Sequence, residues 1–135
     1  MRSTSCAGRS RANGERGATV VEFLAVTILT VVCLLGIAQL AVWVWARNVA
    51  VTAVHEGART AAETGRPLGD GSRRARDVLE DGLGASSGRF AVDVAEEGGM
   101  VAVRARGTAP MIVPFLPAFS VEVQADAFDE DRVLR

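Results

Sequence analysis

An α+β fold carried on one long helix is predicted by three features of this sequence. From Phe23 to Ala46 there are 24 residues without a charge, an alanine-rich stripe continues beyond them, and three later stretches alternate apolar with polar residues. A helix over the uncharged run is about 36 Å long, enough to cross a ~30 Å hydrocarbon core with some tilt. Only Thr27, Thr30 and Gln39 interrupt it as polar side chains. The predicted architecture is a long N-terminal helix (transmembrane, then amphipathic), a short second helix, and a three-stranded antiparallel sheet packed on the long helix.

Residues 1–17 read as a basic cytoplasmic leader, with Arg2, Arg9, Arg11 and Arg16 against the single acid Glu15. An arginine-rich flank stays on the cytoplasmic side, so the chain beyond the span is expected outside. Residues 18–46 form the transmembrane helix. Trp43 and Trp45 suit the aromatic belt of the far interface, with Arg47 just beyond. A cleaved secretory signal has an apolar region of roughly 7–15 residues. The run here is longer, and no small-x-small site follows it near Arg47.

Residues 47–65 extend the helix out of the membrane. Ala46, Val49, Ala50, Ala53, Val54, Gly57, Ala58, Ala61 and Ala62 recur at i, i+3, i+4 spacing, while Arg47, Thr52, Glu56, Arg59 and Glu63 lie off that stripe. Small side chains let another backbone come close. The chain's own domain would pack on Ala50, Ala53, Gly57, Ala58 and Ala61, the simpler reading, or part of the stripe would meet a neighbouring subunit's helix. Gly65-Arg66-Pro67 ends the helix, glycine as cap and proline as barrier.

Residues 66–126 are expected to fold as a small extracytoplasmic α+β domain, and 127–135 as a charged tail, with fraying from Asp126 onward. Leu68 to Gly71 reads as a link and Ser72 as the cap of a second helix with Ala75, Val78, Leu79 and Leu83 on one face. Gly84 to Gly88 reads as a loop. Phe90, Val92 and Val94 alternate with Ala91, Asp93 and Ala95, and Val101, Val103 and Ala105 with Ala102, Arg104 and Arg106. Glu96-Glu97-Gly98-Gly99 between them is a hairpin signal. Asp93 and Arg104 are expected to pair across the polar face. Phe119, Val121, Val123 and Ala125 make the apolar side of a third strand. The prolines of Pro110-Met-Ile-Val-Pro-Phe-Leu-Pro117 exclude a central strand or a helix interior. That segment is expected to cross the core and bury Ile112, Phe115 and Leu116, exposure being the sign of a partner or a membrane surface.

Removing the leader leaves 11 basic residues against 15 acidic, a balance opposed to nucleic-acid binding. Cys6 and Cys33 fall on different sides of the leader boundary, so no disulfide framework serves the outer domain. His55 is the only histidine, and position 59 is arginine, so neither a metal site nor HExxH is present in the sequence. Asp77, Glu80 and Asp81 read as a solvated helix face, with no nucleophile–base pair and no cofactor loop nearby. No cofactor and no catalysis are expected.

Glu22 stands at the entrance of the apolar run, where an acid favours the helix dipole and can still reach headgroup water. It also follows Gly17 by five positions. Arg16-Gly17-Ala18-Thr19-Val20-Val21-Glu22-Phe23 resembles the processing site of type IV prepilins, and with the alanine-rich continuation through His55-Glu56-Gly57-Ala58-Arg59 it resembles the TadE-like proteins of tight-adherence (Flp) pilus systems. The family's "REGAR"-like segment departs here at its first position, where His55 stands. The resemblance covers residues 16–65. It implies a minor pilin-like subunit (pseudopilin) in the cell membrane, N-terminus inside, C-terminus outside. A prepilin peptidase would cut after Gly17 and leave Ala18 as new N-terminus. Glu22 would then neutralise the amine of a neighbouring subunit, and membrane lipid and other pilus-assembly subunits would be the partners. The alternative is an uncleaved single-pass anchor displaying a small binding domain.

Overall fold

The computed structural model describes residues 11–63, 66–114 and 117–128, with side chains from Thr19 onward, Glu97 apart. Helix α1 spans Arg11–Ala62, α2 Leu68–Leu83, and a 3-10 turn Gly84–Arg89 leads into strands β1 Phe90–Glu97, β2 Met100–Thr108 and β3 Ser120–Phe128. The chain divides into two compact units, Met1–Ile37 and Ala38–Arg135.

The described part of the first unit is helical, and its large apolar side chains are exposed, from Phe23 (72%) through Leu29 (63%) to Ile37 (65%). Two of its polar side chains bond back into the helix. Thr27 Oγ1 donates to the Phe23 carbonyl and Thr30 Oγ1 to the Val26 carbonyl, each at 2.8 Å, so neither hydroxyl is left unsatisfied in an apolar surrounding.

The second unit holds the core. Its α1 portion contributes Ala46, Ala50, Ala53, Val54, Ala58 and Ala61, α2 contributes Ala75, Leu79 and Leu83, and the sheet contributes Val92, Val101, Val103, Ala105, Val121, Val123 and Ala125. The sheet is antiparallel in the order β1-β2-β3. Its register sets Val94, Val103 and Ala125 in one cross-strand row and Val92, Ala105 and Val123 in the next, so one face is apolar throughout. Gly98 and Gly99 turn the hairpin with φ of 62° and 83°, the doubly positive pair that a two-residue turn between twisted strands requires. The three-stranded sheet packed on the long helix is as expected, and so are most of the buried faces. Phe119, however, expected on the apolar side of the third strand, precedes β3 and is exposed, because the proline-rich segment turns it outward before the strand begins.

Five local expectations are corrected. The second helix starts at Leu68, not at Ser72. Pro67, extended at φ −69° and ψ 142°, is its N-cap, and Asp70 in the first turn supplies the acid that the dipole favours. Ser72 Oγ donates to the Gly69 carbonyl instead of capping. Gly84–Arg89 is a 3-10 helix, not a loop. The positive φ of Gly84 (55°) breaks the α ladder, and the small residues after it wind on in tighter turns until Phe90 N–H donates to the Ser87 carbonyl. Arg104 stands opposite Asp93, but its guanidinium turns to the other neighbour and donates to Gln124 Oε1 at 2.6 and 3.0 Å. Asp126 to Phe128 are not frayed, for they pair with Ala102 to Met100. Lastly, Ile112 is 53% exposed, while Val113 beside it is buried. The Ile112 backbone, not its side chain, faces α1. Phe115, Leu116, Thr64, Gly65 and the tail from 129 lie outside the described residues.

Candidate functional site

The residues singled out by sequence fall into two groups. Gly17, Ala18 and Glu22 lie on consecutive turns of α1, whose backbone is helical through all three. Glu22 is exposed, and among the described residues no ion pair includes it. Its position in the early part of a long apolar helix is the whole of its geometry: a carboxylate on a surface whose large side chains are valine, leucine, isoleucine and phenylalanine.

Ala50, Ala53, Gly57, Ala58 and Ala61 are buried in the chain's own core. The contact is backbone to backbone. A Cβ placed on Gly57 would stand 2.8 Å from the Gly71 carbonyl oxygen of α2, 2.9 Å from Ala75 Cβ and 3.4 Å from Val103 Cγ1 of β2. One placed on Gly71 would stand 2.6 Å from both the Gly57 oxygen and Ala61 Cβ. Two helices pass each other here with glycine against glycine, and β2 closes over the same point.

One clasp was not foreseen. Gln39, read from sequence only as a polar interruption of the span, is 2% exposed and reaches across to the proline-rich segment. Its Oε1 accepts from the Ile112 N–H at 2.9 Å and its Nε2 donates to the Pro110 carbonyl at 3.2 Å. One turn on, Trp43 Nε1 donates to the Ser120 carbonyl at 3.3 Å. An amide inside an apolar helix, paired with a segment whose prolines preclude regular hydrogen bonding, was the available signal.

Polar groups elsewhere form open surface pairs. Arg106 meets Glu122 at 2.9 Å, Arg66 meets Glu63 at 2.8 Å, and Arg73 meets Asp70, all on exposed faces. Among the described residues no three His, Cys, Asp or Glu side chains converge as a metal site.

Among the described residues one helix, near the N-terminus and unburied over its apolar window, is long and apolar enough to cross a membrane, which suggests a single-pass membrane anchor bearing a small α+β unit. Residues 17–59 match the family model described as "TadE-like protein", the same family that the sequence resembles. The match starts at Gly17 and ends at Arg59, so it takes in the glycine, the acid, the apolar helix and most of the small-residue stripe. No curated protein and no solved structure matches the chain.

Proposed function

We propose that this chain is a pilin-like subunit (pseudopilin) for assembly of a tight-adherence pilus or a related secretion apparatus, with a structural and non-catalytic role. The observation that carries the reading is the Gly17-to-Glu22 spacing at the head of an exposed apolar helix, inside the region matched to the TadE-like family. The basic leader of residues 1–17 stays in the cytoplasm, the apolar helix crosses the cell membrane, and the α+β unit lies outside. A prepilin peptidase cleaves between Gly17 and Ala18. The amine so formed on one subunit is the partner of Glu22 on the next. A charge on a lipid-facing helix costs several kcal/mol when unpaired, and an amine at its side removes that cost and sets the stagger between subunits.

Intact mass of the protein purified from its native host tests the cleavage. The expected chain begins at Ala18, and a chain beginning at Met1 in cells with an active prepilin peptidase refutes it. Glu22→Ala is expected to insert normally but fail to co-purify with its assembly partners. Undiminished assembly would leave Glu22 as a dipole-compensating acid alone. The second reading, an uncleaved anchor displaying a binding domain, is favoured by one observation: α1 runs through Gly17 and Ala18 without a break. It requires a chain of the same length from the Gly17→Ala variant as from the wild type, heavier only by the added CH2, with assembly unchanged.

A further inference from the structure

We propose that the face of the outer unit carrying Met111, Ile112 and Phe119 sits in the bilayer interface, giving the protein a second contact with lipid beside its helix. The proposal rests on the reading of α1 as a membrane anchor and adds where the folded unit lies.

Three observations carry it. Met111, Ile112 and Phe119 are 44%, 53% and 42% exposed, whereas Ala109 and Val113 of the same segment are buried. The segment thus turns Ala109 and Val113 inward and its largest described apolar residues outward, and from Ala109 to Phe119 it contains no charged residue. It is also pinned in place, by Gln39 at Pro110 and Ile112 and by Trp43 at Ser120, the neighbour of Phe119. Both pins lie inside the uncharged run from Phe23 to Ala46.

Their position along that run sets the depth. A hydrocarbon core of ~30 Å takes about 20 helical residues, so a span entered at Phe23 leaves it near Val42. Gln39 and Trp43 bracket that exit, and a segment bonded to them is held at the boundary between acyl chains and headgroups. Apolar side chains there gain by entering the outer ~5–10 Å of the bilayer. Irregular backbone is tolerated near hydrocarbon only where its polar groups are satisfied within the protein. Gln39 satisfies two of them, and the Phe119 carbonyl accepts from the Ala109 N–H at 3.0 Å. A glutamine at this point of an apolar helix is thereby explained.

The test uses the full chain in phosphatidylcholine vesicles, with Cys6→Ser and Cys33→Ala and one polarity-sensitive fluorophore on a single introduced cysteine. Ile112→Cys and Phe119→Cys report on the proposed face, Ile28→Cys on the span, and Asp77→Cys on the solvated side of α2. Lipids carrying a quencher at shallow depth are expected to quench positions 112 and 119 by roughly twofold or more over position 77, as fits insertion of about 5–10 Å. Iodide in the aqueous phase should show the reverse order. If position 28 is quenched by lipid but 112 and 119 behave like 77, this proposal falls and the anchor stands. If 112 and 119 are shielded from iodide without lipid quenching, a protein surface covers the face and the proposal also falls. If the chain fails to float with the vesicles, the anchor falls and takes this proposal with it.

Discussion

Replacing Gly57 by alanine probes the point where α1, α2 and β2 converge. In an open helix position that change stabilises by about 1 kcal/mol, because alanine loses less backbone entropy than glycine. At Gly57 the added methyl would lie 2.8 Å from a backbone oxygen, that of Gly71, and 2.9 Å from Ala75 Cβ. Neither obstacle is the end of a flexible side chain, so α2 must move away from α1 by several tenths of an ångström. Overpacking of this kind costs about 1–3 kcal/mol, which leaves a net loss of about 1 kcal/mol once the helix propensity is credited. For a unit of this size that loss lowers Tm by about 4–8 °C. Gly69→Ala is the matched control, since a Cβ at Gly69 meets nothing within 4 Å. It should hold Tm or raise it by a few degrees. Circular dichroism melts of the full chain in nonionic micelles read both, followed at a wavelength dominated by the sheet. Gly57→Val, with two more carbons in the same space, must fall further than Gly57→Ala. If Gly57→Ala and Gly69→Ala raise Tm alike, the helices do not touch at Gly57 and the packing argument fails.

Four other outcomes follow from the same contacts. Gln39→Leu keeps the volume but strands the Ile112 N–H and the Pro110 carbonyl, a loss of about 1–3 kcal/mol, and amide exchange at Ile112 should quicken while that at Val54 does not. Leu79, 1% exposed at the centre of the α2 face, should lose about 2–5 kcal/mol as Leu79→Ala in urea titration, and a smaller loss would mean that the site collapses around the deletion. Gly99→Val forces a branched side chain to φ of 83° and should cost at least about 1–2 kcal/mol by the same assay. Arg106→Ala removes an ion pair whose partners are 53% and 61% exposed, so its effect should stay below about 1 kcal/mol and vanish in high salt.

How legible these features were in the sequence depended on how local their causes are. The alternating strands, the Gly98-Gly99 turn and the stripe from Ala46 to Ala61 follow from side-chain periods that a short window contains. The start of α2 was missed because Ser72 is a good cap in isolation, whereas Pro67 followed by Asp70 decides the boundary from outside the apolar pattern. The Asp93–Arg104 pairing was placed in the right register but with the wrong partner, since an arginine on a central strand has a neighbour on each side and Gln124 lies on the other. Ile112 was misplaced for a deeper reason. Hydrophobicity alone reads as burial, and the Gln39 bond that turns the Ile112 backbone inward joins residues 73 positions apart. The proposed pairing of Glu22 with a neighbouring amine was legible only as spacing, for on that proposal its partner belongs to another chain.

The change of side-chain size along α1 gives a physical account of the division of the chain at Ala38. Up to Ile37 the helix surface is built from large exposed side chains, which suit lipid because acyl tails are as apolar as leucine and nothing drives them off. From Ala46 to Ala61 the inward positions shrink to alanine and glycine, which suits close approach of other backbone. Between the two regimes stand Gln39 and Trp43, the first side chains of the helix to bond with the folded unit. On the proposed span, Phe23 to Ile37 cover about 22 Å at 1.5 Å per residue, and the residues up to Val42 complete the ~30 Å of a hydrocarbon core. If the proposal holds, moving the clasp one turn toward the N-terminus draws the proline-rich segment into hydrocarbon, and moving it one turn away lifts Met111, Ile112 and Phe119 into water. On that proposal, the place of Gln39 in the apolar run decides where the Met111, Ile112 and Phe119 face meets the bilayer.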